Sequence, residues 1–175
     1  MKTIKPIIFI NSIAFNALLL LFYSCSDGLS APQFELISSD KSGISFSNEL
    51  TYTNDFNVYK YRNFYNGGGI AVGDINNDGL VDLYFTANQK SNELYLNQGK
   101  FKFKRITEQA GVQGEKAWAT GVTMADVNAD GWLDIYVCNS GDVDGDNKQN
   151  ELFINNQDGT FTENASAYGL DDKGF

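Results

Sequence analysis

The chain has 175 residues, 42% of them hydrophobic and 14% aromatic, enough for one packed domain or slightly more. Its formal charge is −9 with no histidine, and the first 25 residues hold two lysines and no acid, which leaves 11 basic against 22 acidic residues in the remainder. Such a surface repels phosphate backbones and excludes nucleic acid as a partner. The missing histidine excludes Ser-His-Asp and Cys-His catalysis within these residues.

The first element in chain order is "MKTIKPIIFINSIAFNALLLLFYSCSDG": a basic start, an apolar run over residues 7–23, then Ser24 and Cys25. Asn11, Ser12 and Asn16 interrupt the run, which is marginal against the about 20 apolar residues of a membrane span. The arrangement resembles a bacterial lipoprotein signal. That resemblance implies cleavage before Cys25, acylation of its thiol, export across the inner membrane and a surface-exposed place on the outer membrane. Membrane attachment would then be through the lipid anchor only. An uncleaved anchor or plain secretion is the alternative. The remaining cysteine, Cys138, follows "LDIYV" and reads as a small buried hydrophobe, so no disulfide framework is expected.

Residues 26–45 are polar and read as a tether, leading into a first strand at "GISFSNEL" (43–50). The aromatic run "VYKYRNFYNGGG" (58–69) follows. Its simplest role is an edge or closing strand packed on the first sheet; a sugar-stacking platform of Tyr59, Tyr61, Phe64 and Tyr65 with Arg62 is the alternative. The glycine triplet suits a close backbone approach at the entry to that sheet.

From residue 69 the chain repeats itself. "GIAVGDINNDGLVDLYFT" (69–86) aligns with "GVTMADVNADGWLDIYVC" (121–138) at an offset of 52. "NELYLNQGKFKF" (92–103) aligns with "NELFINNQDGTF" (150–161) at an offset of 58. An insertion around "GDVDGDN", with Asp142, Asp144 and Asp146 on alternate residues, accounts for the difference and reads as a solvated loop. Each copy parses into four short strands with a glycine turn between the last two. The expected fold is therefore all-β: about two four-stranded blades of a larger β-propeller, with repeat 1 at about 67–118 and repeat 2 at about 119–175. A pair of sandwich-like sheets is the alternative.

Between the first two strands of each copy lies an acidic loop. Counting from Asp74, oxygen-bearing side chains fall at position 1 (Asp74), 3 (Asn76), 5 (Asp78) and 9 (Asp82), with the carbonyl of Leu80 at position 7. The second loop repeats this with Asp126, Asn128, Asp130, the Trp132 carbonyl and Asp134. Hard cations such as Ca²⁺ take six to eight oxygens, which alternate residues of a tight loop deliver. Three carboxylates in one loop also repel each other unless a cation lies between them. About two Ca²⁺ ions are expected. Position 12 is Phe85 or Val137 and not glutamate, so neither loop is an EF-hand.

"YNGGGIAVGDINNDGLVDLYFTAN", "TGVTMADVNADGWLDIYV" and "NELFINNQDGTFTENASAYGL" resemble the FG-GAP/VCBS-type repeats of integrin-α-like propellers. They are most similar to those of bacterial surface lipoproteins in the ASPIC/UnbV (cartilage-acidic-protein-like) group. The resemblance covers about residues 32–175. It implies a propeller of about seven blades with calcium in its interstrand loops and no defined reaction; the chain would then be the N-terminal part of a longer propeller. Glu93 and Glu151 occupy equivalent places and are expected to serve the blades rather than catalysis. The expected function is a non-enzymatic, calcium-binding surface module for adhesion, with surface glycans or proteins as partners. A non-catalytic scaffold of a carbohydrate-active enzyme, whose active site lies beyond residue 175, is the alternative. An integrin-like receptor segment is a weaker one; it would need a glycosylated Asn164.

Overall fold

The computed structural model describes residues 32–115, 118–141 and 148–173. The expected signal, Cys25 and the inserted Asp142, Asp144 and Asp146 lie outside the described residues. The chain divides into a unit up to Leu36 and a unit from Ile37 onward, and both sheets belong to the second.

The first sheet comprises β1 (Ile70–Gly73), β2 (Asp82–Phe85), β3 (Glu93–Asn97) and β4 (Phe103–Arg105). The second comprises β5 (Ala119–Ala125), β6 (Asp134–Asn139), β7 (Glu151–Asn155) and β8 (Phe161–Glu163). Both are antiparallel meanders in strand order, the form of a propeller blade. The sequence offsets survive as register: Val72 faces Leu83 in blade 1 as Met124 faces Ile135 in blade 2, and Tyr95 faces Arg105 as Phe153 faces Glu163. One-turn helices follow each blade, α2 (Thr107–Ala110) and α3 (Ala165–Tyr168), each ended by a left-handed glycine, Gly111 and Gly169.

Alternation decides which face meets which. Ala71, Gly73, Tyr84 and Leu94 share one face of blade 1, because paired residues of an antiparallel ladder point the same way. Val122, Met124, Ile135, Val137 and Phe153 share one face of blade 2. These two faces make a single core, joined by Ile106, Ala110 and Val112 from the connection between blades. Small residues set the spacing: a Cβ on Gly73 would lie 2.7 Å from Leu133 Cδ1 and 2.9 Å from Met124 Sδ. Polar bridges fix the alignment, with Thr86 Oγ1 donating to the Thr120 carbonyl at 2.7 Å and Asn155 Nδ2 to the Ile75 carbonyl at 2.8 Å.

Two expected strands do not form. Residues 39–42 make a one-turn helix, α1 (Ser39–Ser42), and 43–50 run on without ladder pairing. Side chains replace a ladder there: Ser45 N–H donates to the Tyr95 hydroxyl, Phe46 stacks on Phe85 at 4.9 Å, and Asn48 Nδ2 donates to Asn88 Oδ1 at 2.7 Å. The aromatic run forms turns instead of an edge strand. Just before the run, Thr53 Oγ1 accepts from Phe56 N–H and Asn57 Nδ2 donates to the Thr53 carbonyl; within it, Tyr61 N–H donates to the Asn57 carbonyl at 2.8 Å and Phe64 N–H to the Tyr61 carbonyl at 3.1 Å, turn bonds in place of a ladder. Phe56, Tyr61 and Phe64 then surround the buried Trp118, with ring centroids 5.0–5.3 Å from it. Tyr61 and Phe64 are thus turned into a cluster at the entry to β5 and offer no open stacking platform.

Candidate functional site

The two acidic loops have one wiring, written twice. In the first, Asp74 Oδ1 accepts from Asp78 N–H at 3.2 Å and Oδ2 from Gly79 N–H at 2.8 Å. Asn76 Oδ1 accepts from Asp78 N–H, Asn76 Nδ2 donates to Asp78 Oδ2, and Asp78 Oδ1 accepts from Leu80 N–H at 2.8 Å. Asp126, Asn128 and Asp130 make the same five bonds to Asp130, Gly131 and Trp132. Successive Asx turns of this kind need left-handed backbone, which Asn77 (φ 57°) and Gly79 (φ 83°) supply in one loop and Ala129 (φ 60°) and Gly131 (φ 87°) in the other.

Position 9 is different in kind. Asp82 and Asp134 are fully buried at the start of β2 and β6. Asp82 Oδ2 accepts from Ile75 N–H at 3.0 Å and Oδ1 from Asn97 N–H at 2.8 Å. Asp134 does the same with Val127 N–H at 3.0 Å and Asn155 N–H at 2.8 Å. Each carboxylate therefore ties the loop's entry to the end of the third strand. Burial pushes the Asp82 carboxyl above its ordinary value, the two N–H donors oppose this, and the negative charges of Asp78 and Asp74 add to the rise. Asp130 lies on the exposed rim, where the Trp132 N–H, then Asn128 and Gln157, hold its carboxyl below the usual range.

The loop brings positions 1, 3 and 5 together around its backbone N–H groups, while position 9 faces inward to the sheet. Among the described residues no three acidic side chains stand close enough to form a metal cluster. The donor chemistry nonetheless suits a hard cation: every candidate ligand is oxygen, and a carboxylate oxygen that accepts one N–H keeps a second lone pair. The pattern-based reading missed Asn97 and Asn155, which receive the position-9 carboxylates. Their signal was the repeated asparagine closing "ELYLN" and "ELFIN".

Glu93 and Glu151 serve the blades. Glu93 accepts from the Tyr95 hydroxyl and pairs with Arg105 at 3.4 Å, and the buried Glu151 accepts from Glu115 N–H and Asn139 Nδ2. Cys138 is half-buried, not fully enclosed as expected, and its thiol pKa is raised by desolvation.

Sheets, loops and register together define a protein built of propeller-type blades with a duplicated acidic interstrand loop. Residues 74–137, which take in both loops, match the family model described as FG-GAP-like repeat. The chain is also 33% identical over 101 residues to cartilage acidic protein 1 of Xenopus tropicalis, a match covering 57% of this chain and 16% of that protein. The chain thus spans a minor part of the length of the curated relative it matches.

Proposed function

We propose that each acidic loop holds one Ca²⁺ and that the chain is a calcium-stiffened, non-enzymatic segment of a surface propeller. The observation that carries this reading is the duplication of the five bonds that positions 1, 3 and 5 make within each loop. Two loops separated by 52 residues keep the same donors, acceptors and left-handed positions, although unconstrained turns drift. Asp74, Asn76, Asp78, the Leu80 carbonyl and Asp82 would hold one ion; Asp126, Asn128, Asp130, the Trp132 carbonyl and Asp134 the other. Bound calcium supplies positive charge where Asp74, Asp78 and Asp82 repel one another. At a hundredfold excess over its dissociation constant, each ion adds about 2.7 kcal/mol to the folded state. The FG-GAP-like match supports a scaffold rather than an enzyme. The amino-terminal pattern supports display on the outer membrane through acylated Cys25, with surface glycans or proteins as partners.

The test is a calorimetric calcium titration of the chain, with thermal melts in calcium and in chelator. Two sites and a melt raised by calcium are expected. Replacing Asp78 and Asp130 together with alanine should abolish binding and leave the chelator melt nearly unchanged. Two ions still bound by that double variant would overturn the ligand assignment. Radiolabelled fatty acid incorporated by the parent and not by Cys25→Ala is the result expected for the anchor; equal labelling of both would refute it.

A further inference from the structure

The asparagines that close "ELYLN" and "ELFIN" occupy equivalent places and share three bonds within their own blades. Each main-chain N–H donates to the position-9 carboxylate, Asn97 to Asp82 and Asn155 to Asp134, both at 2.8 Å. Each Nδ2 donates to the carbonyl just before that aspartate, Val81 at 2.9 Å and Leu133 at 3.1 Å. Each Oδ1 accepts a main-chain N–H from two residues on, Gly99 and Gln157. Asn155 adds a fourth bond, because an amide nitrogen carries two protons: Nδ2 also donates to the Ile75 carbonyl of blade 1 at 2.8 Å. Among the described residues Asn97 has no counterpart of that bond.

Ile75 lies between Asp74 and Asn76, positions 1 and 3 of the first acidic loop, and its own N–H donates to Asp82 Oδ2 at 3.0 Å. A continuous chain thus runs from Asp134 through Asn155 and Ile75 to Asp82, one position-9 carboxylate to the other. All four residues are buried, so water does not replace a lost link. A second link crosses on the exposed rim. Asn77 Nδ2 donates to the Gly131 carbonyl at 3.2 Å, which joins position 4 of the first loop to position 6 of the second. Ala129 stands where Asn77 stands and has no side-chain donor to return that bond. The repetition between the loops is therefore broken just where they touch.

We infer that the two acidic loops work as a coupled pair, with Asn155 the positioning residue through which blade 2 holds the first loop in shape. A hard divalent cation in the second loop fixes Asp134, which holds the Asn155 main chain. Asn155 then aims Nδ2 at Ile75 and keeps Asp74 and Asn76 in place for a second ion. The element that both loops bias is the stretch around Ile75, held or released. Linkage makes the effect reciprocal, so an ion in the first loop tightens the second by the same factor. Where calcium is concerned this rests on the reading of the loops proposed above; the hydrogen-bonded coupling does not depend on it.

The probe is Ca²⁺, titrated calorimetrically into the parent chain, Asp78→Ala and Asp130→Ala, the two variants each keeping one loop intact. The product of the parent's two binding constants should exceed the product of the two single-loop constants by about tenfold, a usual size for coupling between sites. Asn155→Ala, placed in all three backgrounds, should bring that ratio to unity. Asn97→Ala loses the matching side-chain bonds within blade 1 and should leave the ratio as in the parent. A ratio of unity in the parent, or one lowered alike by Asn155→Ala and Asn97→Ala, overturns the proposal. Amide exchange in chelator separates coupling from calcium binding. Asn155→Ala should speed exchange across the interface, at Ile75 and Gly79, whereas Asn97→Ala should leave Val127 and Gly131 at the parent's rate. That asymmetry without any bound ion would refute the calcium reading and uphold the coupling. Exchange at Ile75 and Gly79 unmoved by Asn155→Ala refutes the coupling whatever the titrations give. Should Asn155→Ala fail to fold, Asp78→Ala decides. Calcium then has the second loop alone and should still slow exchange at Ile75; an Ile75 amide indifferent to that ion refutes the inference.

Discussion

Replacing Asp134 with alanine separates a structural role of position 9 from a purely metal-binding one. The side chain is fully buried and accepts from Val127 N–H at 3.0 Å and from Asn155 N–H at 2.8 Å. Alanine leaves both donors dry and without those acceptors, at about 1–3 kcal/mol each, or about 2–6 kcal/mol together. Relief of the buried charge offsets part of that. The expected net loss is about 3 kcal/mol, and it should appear in chelator as well as in calcium. With a urea slope of about 2 kcal/mol/M, the midpoint falls by about 1.5 M. Tryptophan fluorescence reports the transition through Trp118 in the interblade aromatic cluster and Trp132 in the loop itself. Asp134→Asn, which keeps one acceptor oxygen, should fall between parent and alanine. A variant as stable as the parent in chelator and weakened only in calcium would refute the reasoning, since Asp134 would then act through the metal alone.

Other expectations follow from single positions. Ala129 holds a left-handed conformation at φ 60°, which a side chain with a Cβ resists, so Ala129→Gly should raise stability by about 0.5–1 kcal/mol in urea melts. Gly68→Ala should be more damaging than Gly73→Ala: its Cβ would meet the Thr86 carbonyl oxygen at 2.3 Å, which is backbone, whereas Gly73 faces the movable ends of Leu133 and Met124. Overpacking at Gly73 costs about 1–3 kcal/mol, and a larger drop in melting temperature at Gly68 is the result to look for. The Cys138 thiol, its pKa raised by burial, should alkylate more slowly than a free thiol at the same pH and at the ordinary rate in urea. Because the folded value lies above the unfolded one, the thiol's contribution is full below the unfolded value and is lost as pH rises through the folded value. Cys138→Ala should flatten that part of the pH–stability curve.

Most of the fold was legible because repetition makes weak signals strong. A single "GDINNDGLVDLYF" is an acidic turn before a strand; a second copy at a fixed offset turns it into an architectural unit, and the strand pairs keep that offset. The two expected strands that did not form lie outside the repeat, at 43–50 and 58–69. There, propensity was the whole argument, and side-chain bonds of Ser45 and Asn48 in the first segment and turn bonds at Tyr61 and Phe64 in the second stand in place of a ladder.

The sequence alone determined the all-β repeat, the spacing of oxygen-bearing side chains in the acidic loops and the turn chemistry, because each depends on residues a few positions apart. Only the tertiary structure decided which carboxylates are buried, which face of each blade is covered, and where α1 sits. Those outcomes depend on groups brought together across sheets: Asp134 meets Asn155 and Asn155 meets Ile75, 80 residues away. Burial is a property of what packs against a residue, so residues as alike as Val72 and Met124 stand in like places on their strands, one exposed and one packed against the core.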